Sequence, residues 1–435
     1  MLALLSAFTG CAAQRPTLVP IGGSLEVSNA GAFAAMLEGV PASASILIAP
    51  FASGEPDESW ERARGFFVQH APFARIERME DPTLSPESEA RALAQLRAAQ
   101  LVFFTGGDQS RIVPRFANPS LRRALARPTL RIAGTSAGAS MMSDPMFIGG
   151  GSESALLNLP YEDDDEQTRD ASQPARRGAR LSKGLGLAPE LLIDTHTLQR
   201  GRYGRMLAAL RTGQHTAALG LADASGAVVT SSARTTTIEV LHNDGAVLCW
   251  LDAPPRQQMS EGDGVVGLSA DAGARLSLLH AGDRVRIERV SESDHASSMR
   301  LARASMGVGS PSRGVGVPSL RSASRERARV LLVPSPRAAG PASQASEREQ
   351  PAIGEARGDT RDDAWEDGAL QALLAKVQQD PTRTWSVQSD ALVVRAWADE
   401  RTRFVLREDG LATAWGVRVA VDARTDASGP AQSTR

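Results

Sequence analysis

Gly134-Thr135-Ser136-Ala137-Gly138 follows a short apolar run, Leu130–Ala133, and precedes the helix-forming Ala139–Met142. A serine between glycines at a strand-to-helix turn is a nucleophile elbow. The glycines tolerate a strained backbone, the hydroxyl stands above the sheet, and the helix N-terminus aims its N–H groups at a developing oxyanion. Such a serine needs a base. The six histidines are 70, 196, 215, 242, 280 and 295, and they show no HxH or HxxxH spacing that would suggest a metal. His196 stands out because it ends the apolar run Leu191–Ile193 through Asp194-Thr195, and Arg200, Arg202 and Arg205 follow it. That cationic run suits an anionic substrate, although a solvated helix face would read the same way. A carboxylate should orient the histidine. Asp223, after the apolar run Ala217–Leu221, is the candidate, and Asp194 competes. A carboxylate two residues from the histidine on an extended chain usually points elsewhere.

These residues need strand ends to carry them. Thr17–Ile21 runs into Gly22-Gly23, Ser45–Pro50 is continuously apolar, and Leu101–Thr105 runs into Gly106-Gly107. Between them Glu58–Gln69 and Pro86–Ala99 carry helical periodicity, the second behind a Ser85 cap. Buried strands alternating with helices predict an α/β fold, a mostly parallel sheet flanked by helices, with its site at the carboxyl ends of the strands. Gly220 to about Val290 holds short strands expected to extend the same domain (residues 17–290) with an antiparallel edge. Residues 291–360 are rich in Ser, Arg, Gly, Pro and Ala and predict a disordered linker. Asp363–Gln378 predicts a helix, and Thr384–Ala396, Arg403–Leu406 and Ala414–Val421 predict strands. Trp365, Trp385, Trp397 and Trp415 suggest that residues 361–435 form a small α+β C-terminal domain with its own core.

With 435 residues, the chain is long enough to bury a sizeable core. Its 48 basic and 50 acidic residues give a net charge of -2, which removes the electrostatic argument for binding nucleic acid. Cys11 and Cys249 are its cysteines, which excludes a disulfide scaffold or a Cys-rich zinc site. No run is apolar for long enough to span a bilayer. Met1–Ala13 is apolar and signal-like, with the segment ending at Pro16, and Thr9-Gly10-Cys11 has the form of a lipoprotein cleavage site; export to the cell envelope is the expectation, with a cytoplasmic location left open. Glu162-Asp163-Asp164-Asp165-Glu166 reads as a solvated loop, since it lacks the alternating ligands and central glycine of a calcium loop.

Several pieces, in order, resemble the cyanophycinase-like serine peptidases, relatives of the aspartyl dipeptidases with a fold akin to glutamine amidotransferases. They are Gly22-Gly23, Phe103-Phe104-Thr105-Gly106-Gly107-Asp108-Gln109, Gly134–Ala139, Lys183-Gly184-Leu185-Gly186-Leu187, Asp194-Thr195-His196 with Gln199–Arg205, and Gly220-Leu221-Ala222-Asp223. The resemblance implies Ser136 as nucleophile, His196 as base and position 223 as the orienting acid. It implies an oxyanion hole from the N–H groups of Gly107 and Ala137. Gln109, Asp194, Thr195, Arg200, Arg202 and Arg205 would then line the substrate pocket. It further implies hydrolysis of aspartyl peptide bonds, in cyanophycin to β-Asp-Arg or in short aspartyl peptides, without metal or organic cofactor. The implied partner is a peptide or polymer substrate, and a homodimer is left open. A weakly catalytic member kept for binding is the alternative from a different class. Three positions depart from the family: Asp223 stands for glutamate, Thr195 for glutamine and Thr197 for phenylalanine.

Overall fold

A computed structural model of the chain describes residues 14–156, 179–211, 215, 217–241, 245–251, 273–290, 327–333, 369–388, 392–406 and 412–423. The expected signal-like segment up to Ala13 and the acidic run at 162–166 lie outside these residues. So does most of the expected linker.

The apolar runs become the parallel strands β1 (Thr17–Ile21), β2 (Ser45–Ala49), β3 (Arg75–Arg78), β4 (Leu101–Phe104) and β5 (Arg131–Thr135), in the order β1-β5-β4-β2-β3. Of these, β2 and β4 are buried along their whole length, because helices cover both faces. On one face α1 (Ala30–Leu37) and α2 (Pro56–His70) bring Phe33, Met36 and Phe67 onto Ile21, Ile48 and Phe103. On the other, α3 (Pro86–Ala98) and α4 (Pro119–Leu125) bring Leu96 and Leu121 onto Leu47, Val102 and Phe104. The expected Ser85 cap is present: its hydroxyl accepts the Ser88 N–H at 3.1 Å.

Two short elements follow β5: α5 (Ala137–Ser140) and a hairpin of β6 (Met146–Gly149) with β7 (Arg180–Ser182). α6 (Ser152–Leu156) lies between the hairpin strands. The chain then departs from a single sheet. β8 (Leu191–Thr195) and β9 (Ala217–Leu221), joined across α7 (Tyr203–Leu210), pair with each other in parallel and open a second sheet. Later strands are shared between the two. β10 (Ala227–Ser231) and β11 (Thr235–Val240) extend the first sheet as its antiparallel edge, whereas β12 (Ala246–Leu251) and β13 (Ala274–Leu279) extend the second. β14 (Arg284–Val290) returns to the first. The expected edge is therefore real, but the strand ends that carry His196 and Asp223 belong to the other sheet. Periodicity cannot show this, because a buried strand looks the same in either sheet.

Within residues 291–360, Arg327–Val333 forms β15, paired with β14 along its length, and Val330 packs on the core opposite Ile287. This corrects the linker expectation at that point. RARVLLV is apolar enough to add an edge strand once β14 offers unpaired backbone.

The tail holds the expected helix, α8 (Ala369–Gln379), and four strands: β16 (Trp385–Gln388), β17 (Leu392–Trp397), β18 (Arg403–Leu406) and β19 (Ala412–Ala423). They do not close on themselves. β19 pairs with β13, and Trp415 packs on Trp250 with ring centroids 5.0 Å apart. Leu373 and Leu374 of α8 join Met206, Leu207 and Leu210 of α7 in one core over the second sheet. The tail's apolar face is thus completed by residues 203–279.

Arg275 of β13 fastens this junction, donating from Nη1 and Nη2 to the Asp399 carboxylate at 3.1 and 2.7 Å and to Gly416 O at 2.7 Å. Burial alone would raise the Asp399 pKa. The hydrogen bonds from Arg275, the Arg401 N–H and Thr402, with the Arg275 charge, outweigh it and pull the carboxyl down to about 2. Because the folded pKa lies below the unfolded one, this stabilisation is complete above about pH 4 and is lost as pH falls toward 2. Asp399→Asn is expected to cost about 2–3 kcal/mol at neutral pH, since it leaves the buried guanidinium without a counter-charge. Thermal melts should show the difference at pH 7 and a smaller one near pH 2; equal melting at pH 7 would refute it.

No described helix is long and apolar enough to cross a membrane.

Candidate active site

Neighbouring strands β1, β5 and β4 present their carboxyl ends side by side, and each ends in a glycine-rich turn. Ser136 leaves β5 with φ 51 and ψ -114, outside the comfortable region for a residue with a Cβ, as an elbow requires. Two close approaches make the turn possible. A Cβ on Gly134 would lie 2.3 Å from Gly138 O, and one on Gly138 would lie 2.3 Å from Phe104 O.

The second sheet supplies the partners. His196 follows β8 and Asp223 follows β9, at the adjacent carboxyl ends of that parallel pair. Ser136 Oγ is 2.8 Å from His196 Nε2. His196 Nδ1 is hydrogen-bonded to Asp223 Oδ1 on its other side, which leaves Nε2 as the acceptor facing the serine. Backbone hydrogen bonds tie the elbow to β1 and tie the end of β1 to the turns that follow β8 and β9 of the second sheet. Ser136 N–H and His196 N–H donate to Ile21 O and Gly22 O at 3.0 and 2.9 Å, while Gly22 N–H donates to Ser225 O at 2.8 Å. The imidazole lies against Gly23, where a Cβ would come within 2.1 Å of His196 Cε1. Gly23 therefore opens the space in which the ring sits.

Asp223 reaches His196 although its side chain is a methylene shorter than glutamate. The turn after β9 folds back on the first sheet through Ala224, with φ 55, whose N–H donates to Gly23 O at 2.9 Å. Gln199 Oε1 accepts the Asp223 N–H at 2.9 Å, which fixes the start of that turn. Sequence reasoning passed over Gln199 as a site residue, although it sits in the quoted run Gln199–Arg205. The N–H groups of Gly107 and Ala137 have no hydrogen-bond acceptor among the described residues.

The expected pocket residues divide. Asp194 and Arg205 are fully buried and bound to each other, Nε to Oδ2 at 2.7 Å and Nη2 to Oδ1 at 2.6 Å, with Nη1 on Gly150 O at 2.6 Å. The Arg205 guanidinium also lies over the Phe147 ring, 4.8 Å from its centroid. Gln109 donates from Nε2 to Phe147 O. Thr195 is buried, its Oγ1 3.4 Å from Ser140 Oγ beneath the elbow. Asp194, Thr195 and Arg205 are buried and brace the site rather than line it, whereas Gln109 is half-buried. Asp194 and Arg205 face one another, because a charge at a buried strand end is tolerated only when paired. Thr197, at the position of the family's phenylalanine, is buried under Gly220. Asp194 bonds Arg205 rather than His196, whose Nδ1 is hydrogen-bonded to Asp223. Arg202 donates to Thr195 O at 2.9 Å and is partly accessible, and Arg200 is exposed. Of the expected cations, these two remain open to a ligand.

Burial lowers the His196 pKa. Arg200 and Arg202 push the same way, against the opposing pull of Asp223. The ring is thus neutral and basic near pH 7. Activity that needs this base is expected to show an acid limb in kcat/KM with its midpoint below 6.5, the ordinary histidine value. Arg200→Gln should move that limb upward, and a midpoint unchanged by the substitution would count against the charge coupling. Burial, with Arg205 beside it, also brings the Arg202 pKa down to about 10, so that group stays cationic over the same range.

Over little more than a third of its length the chain is similar to curated cyanophycinases. It is 30% identical over 171 residues to the cyanophycinase of Trichormus variabilis, covering 38% of this chain and 51% of that protein. It is 30% identical over 172 residues to the cyanophycinase of Geminocystis herdmanii, covering 38% and 56%. The chain thus spans about half the length of the curated relatives it matches. Among solved structures it is similar to a peptidase from an acI-B1 actinobacterium, with a TM-score of 0.38 and 14% identity over 54% of this chain and 90% of that one. No family model matches the chain.

Proposed function

We propose that this protein is a serine-type peptidase that hydrolyses aspartyl peptide bonds, with cyanophycin, a polyaspartate carrying arginine on its side chains, as the substrate and β-Asp-Arg as the product. The observation that carries the reading is the continuous line from Ser136 Oγ through His196 to Asp223, beside two N–H groups without acceptors. Ser136 Oγ attacks the scissile carbonyl carbon while His196 Nε2 takes its proton, and Asp223 stabilises the resulting imidazolium. The oxyanion is received by Gly107 N–H and Ala137 N–H. His196 returns the proton to the leaving amine, the C–N bond breaks, and an acyl-enzyme on Ser136 remains. Water, deprotonated by His196, then releases the acid and restores the serine. Arg200 and Arg202 hold a free carboxylate of the substrate, that of a side-chain arginine or of the terminal aspartyl residue.

The test is incubation of the protein with purified cyanophycin and with short β- and α-aspartyl peptides, products being followed by mass spectrometry. Release of β-Asp-Arg by the wild type and not by Ser136→Ala is the expected result. Cleavage of the short peptides alone would move the substrate to a dipeptide. No cleavage and no fluorophosphonate labelling of Ser136 would overturn the hydrolase reading in favour of a binding role.

A further inference from the structure

His196 and Asp223 stand on separate turns, one after β8 and one after β9, and both turns pass through left-handed backbone. His196 itself has φ 52, and Ala224 has φ 55. A residue with a Cβ keeps such a conformation only where its surroundings over-determine it. Ties to the end of β1 do part of this. His196 N–H donates to Gly22 O, Ala224 N–H donates to Gly23 O, and Gly22 N–H donates to Ser225 O. These bonds hold the two turns to the first sheet, and none of them involves the backbone N–H of Asp223.

That N–H is held by a side chain from the histidine's own turn. Arg200 N–H closes the turn on His196 O at 3.1 Å, and from the residue before it Gln199 Oε1 accepts the Asp223 N–H at 2.9 Å. The two turns are thereby joined at Asp223 twice, through its carboxylate on His196 Nδ1 and through its N–H on Gln199. Gln199 is exposed, so core packing does not account for where its amide sits. The length of the acid gives the tie its importance. A glutamate carries one more side-chain torsion than an aspartate and can absorb a shift of its own backbone, whereas an aspartate carboxylate follows its Cα closely. Misplacing a catalytic group by about 1 Å can cost 10²-fold in rate.

We infer that Gln199 is a positioning residue for the proton transfer from Ser136 to His196, holding the Asp223 backbone at the place from which the shorter acid reaches His196 Nδ1. Its effect on rate rests on the hydrolase reading above; its effect on the His196–Asp223 bond rests on geometry alone.

The test compares Gln199→Leu, similar in size but without an acceptor, with Gln199→Glu, which keeps an oxygen for the Asp223 N–H. Gln199→Leu is expected to lower kcat and the rate of fluorophosphonate labelling at Ser136 by about 10–100-fold, with KM changed less than about threefold. Gln199→Glu should recover most of that loss. Asp223 pulls the His196 pKa up against burial and the charges of Arg200 and Arg202, so a loosened carboxylate should also move the acid limb of kcat/KM to lower pH. The low-field proton resonance of His196 Nδ1–H reads the bond without turnover; it should persist in Gln199→Glu and move upfield or broaden in Gln199→Leu. In an Asp223→Glu background the change in that resonance on adding Gln199→Leu should largely vanish, because the longer acid no longer depends on the tie. Unchanged thermal melting would show that the fold is retained. Equal losses in the leucine and glutamate variants, a loss confined to KM, or an undiminished response in the Asp223→Glu background would each overturn the inference. Wild-type rates and resonance in Gln199→Leu would sink the positioning role and leave the peptidase standing. A resonance that responds as expected in a protein that neither hydrolyses aspartyl peptides nor labels would do the reverse.

Discussion

Ser136→Ala and His196→Ala are each expected to lower kcat by about 10⁴–10⁶-fold, and the double variant by little more than either alone. The reason is geometric. Ser136 Oγ and His196 Nε2 share one hydrogen bond at 2.8 Å, so removing either group abolishes the same proton transfer. Residual hydrolysis would come from the Gly107 and Ala137 N–H groups and from binding. Single-turnover kinetics with fluorophosphonate labelling would check this. Losses that multiplied in the double variant would show that the two residues do not act as a unit.

The second large effect is on stability. Asp194→Asn or Arg205→Met is expected to destabilise the protein by roughly 3–5 kcal/mol, since each leaves one member of a buried charge pair uncompensated. Replacing both together by apolar residues of similar volume should cost much less. Denaturant titration of the two single variants and the double distinguishes these outcomes, and additive losses would refute the coupling. The pair lies close to the Ser136–His196 contact, because Asp194 is two residues before His196 and Arg205 reaches back over Phe147 to Gly150. A loss of kcat that tracks the loss of stability across such variants would mark it as a brace.

The Ser136–His196–Asp223 line was legible in the chain because each member sits at an abrupt change from apolar strand to polar turn. Ser136, His196 and Asp223 all follow buried runs, and the glycines around Ser136 mark a backbone that other residues cannot adopt. The helices α2 and α3 were legible from their caps and periodicity. The sorting of the arginines was not. Arg200, Arg202 and Arg205 look alike in sequence, and only the tertiary partner decides that Arg205 is buried on Asp194 while Arg200 faces solvent. The division into two sheets was hidden for the same reason, since β8 and β9 carry the same apolar signature as β1 and β5.

The second sheet brings into register segments far apart along the chain, β13 meeting β19 and β9 meeting β12. The strands β1 to β5 and the serine elbow all lie within the first 140 residues and use mainly local crossovers. Ribosomal synthesis therefore delivers Ser136 long before the strands that complete the sheet holding His196. Closing the larger loop is the slower search, because long-range strand pairing must be reached before its contacts repay the entropy. A nascent chain is thus expected to present Ser136 before the second sheet fixes His196 opposite it, since β19 of the tail pairs into that sheet.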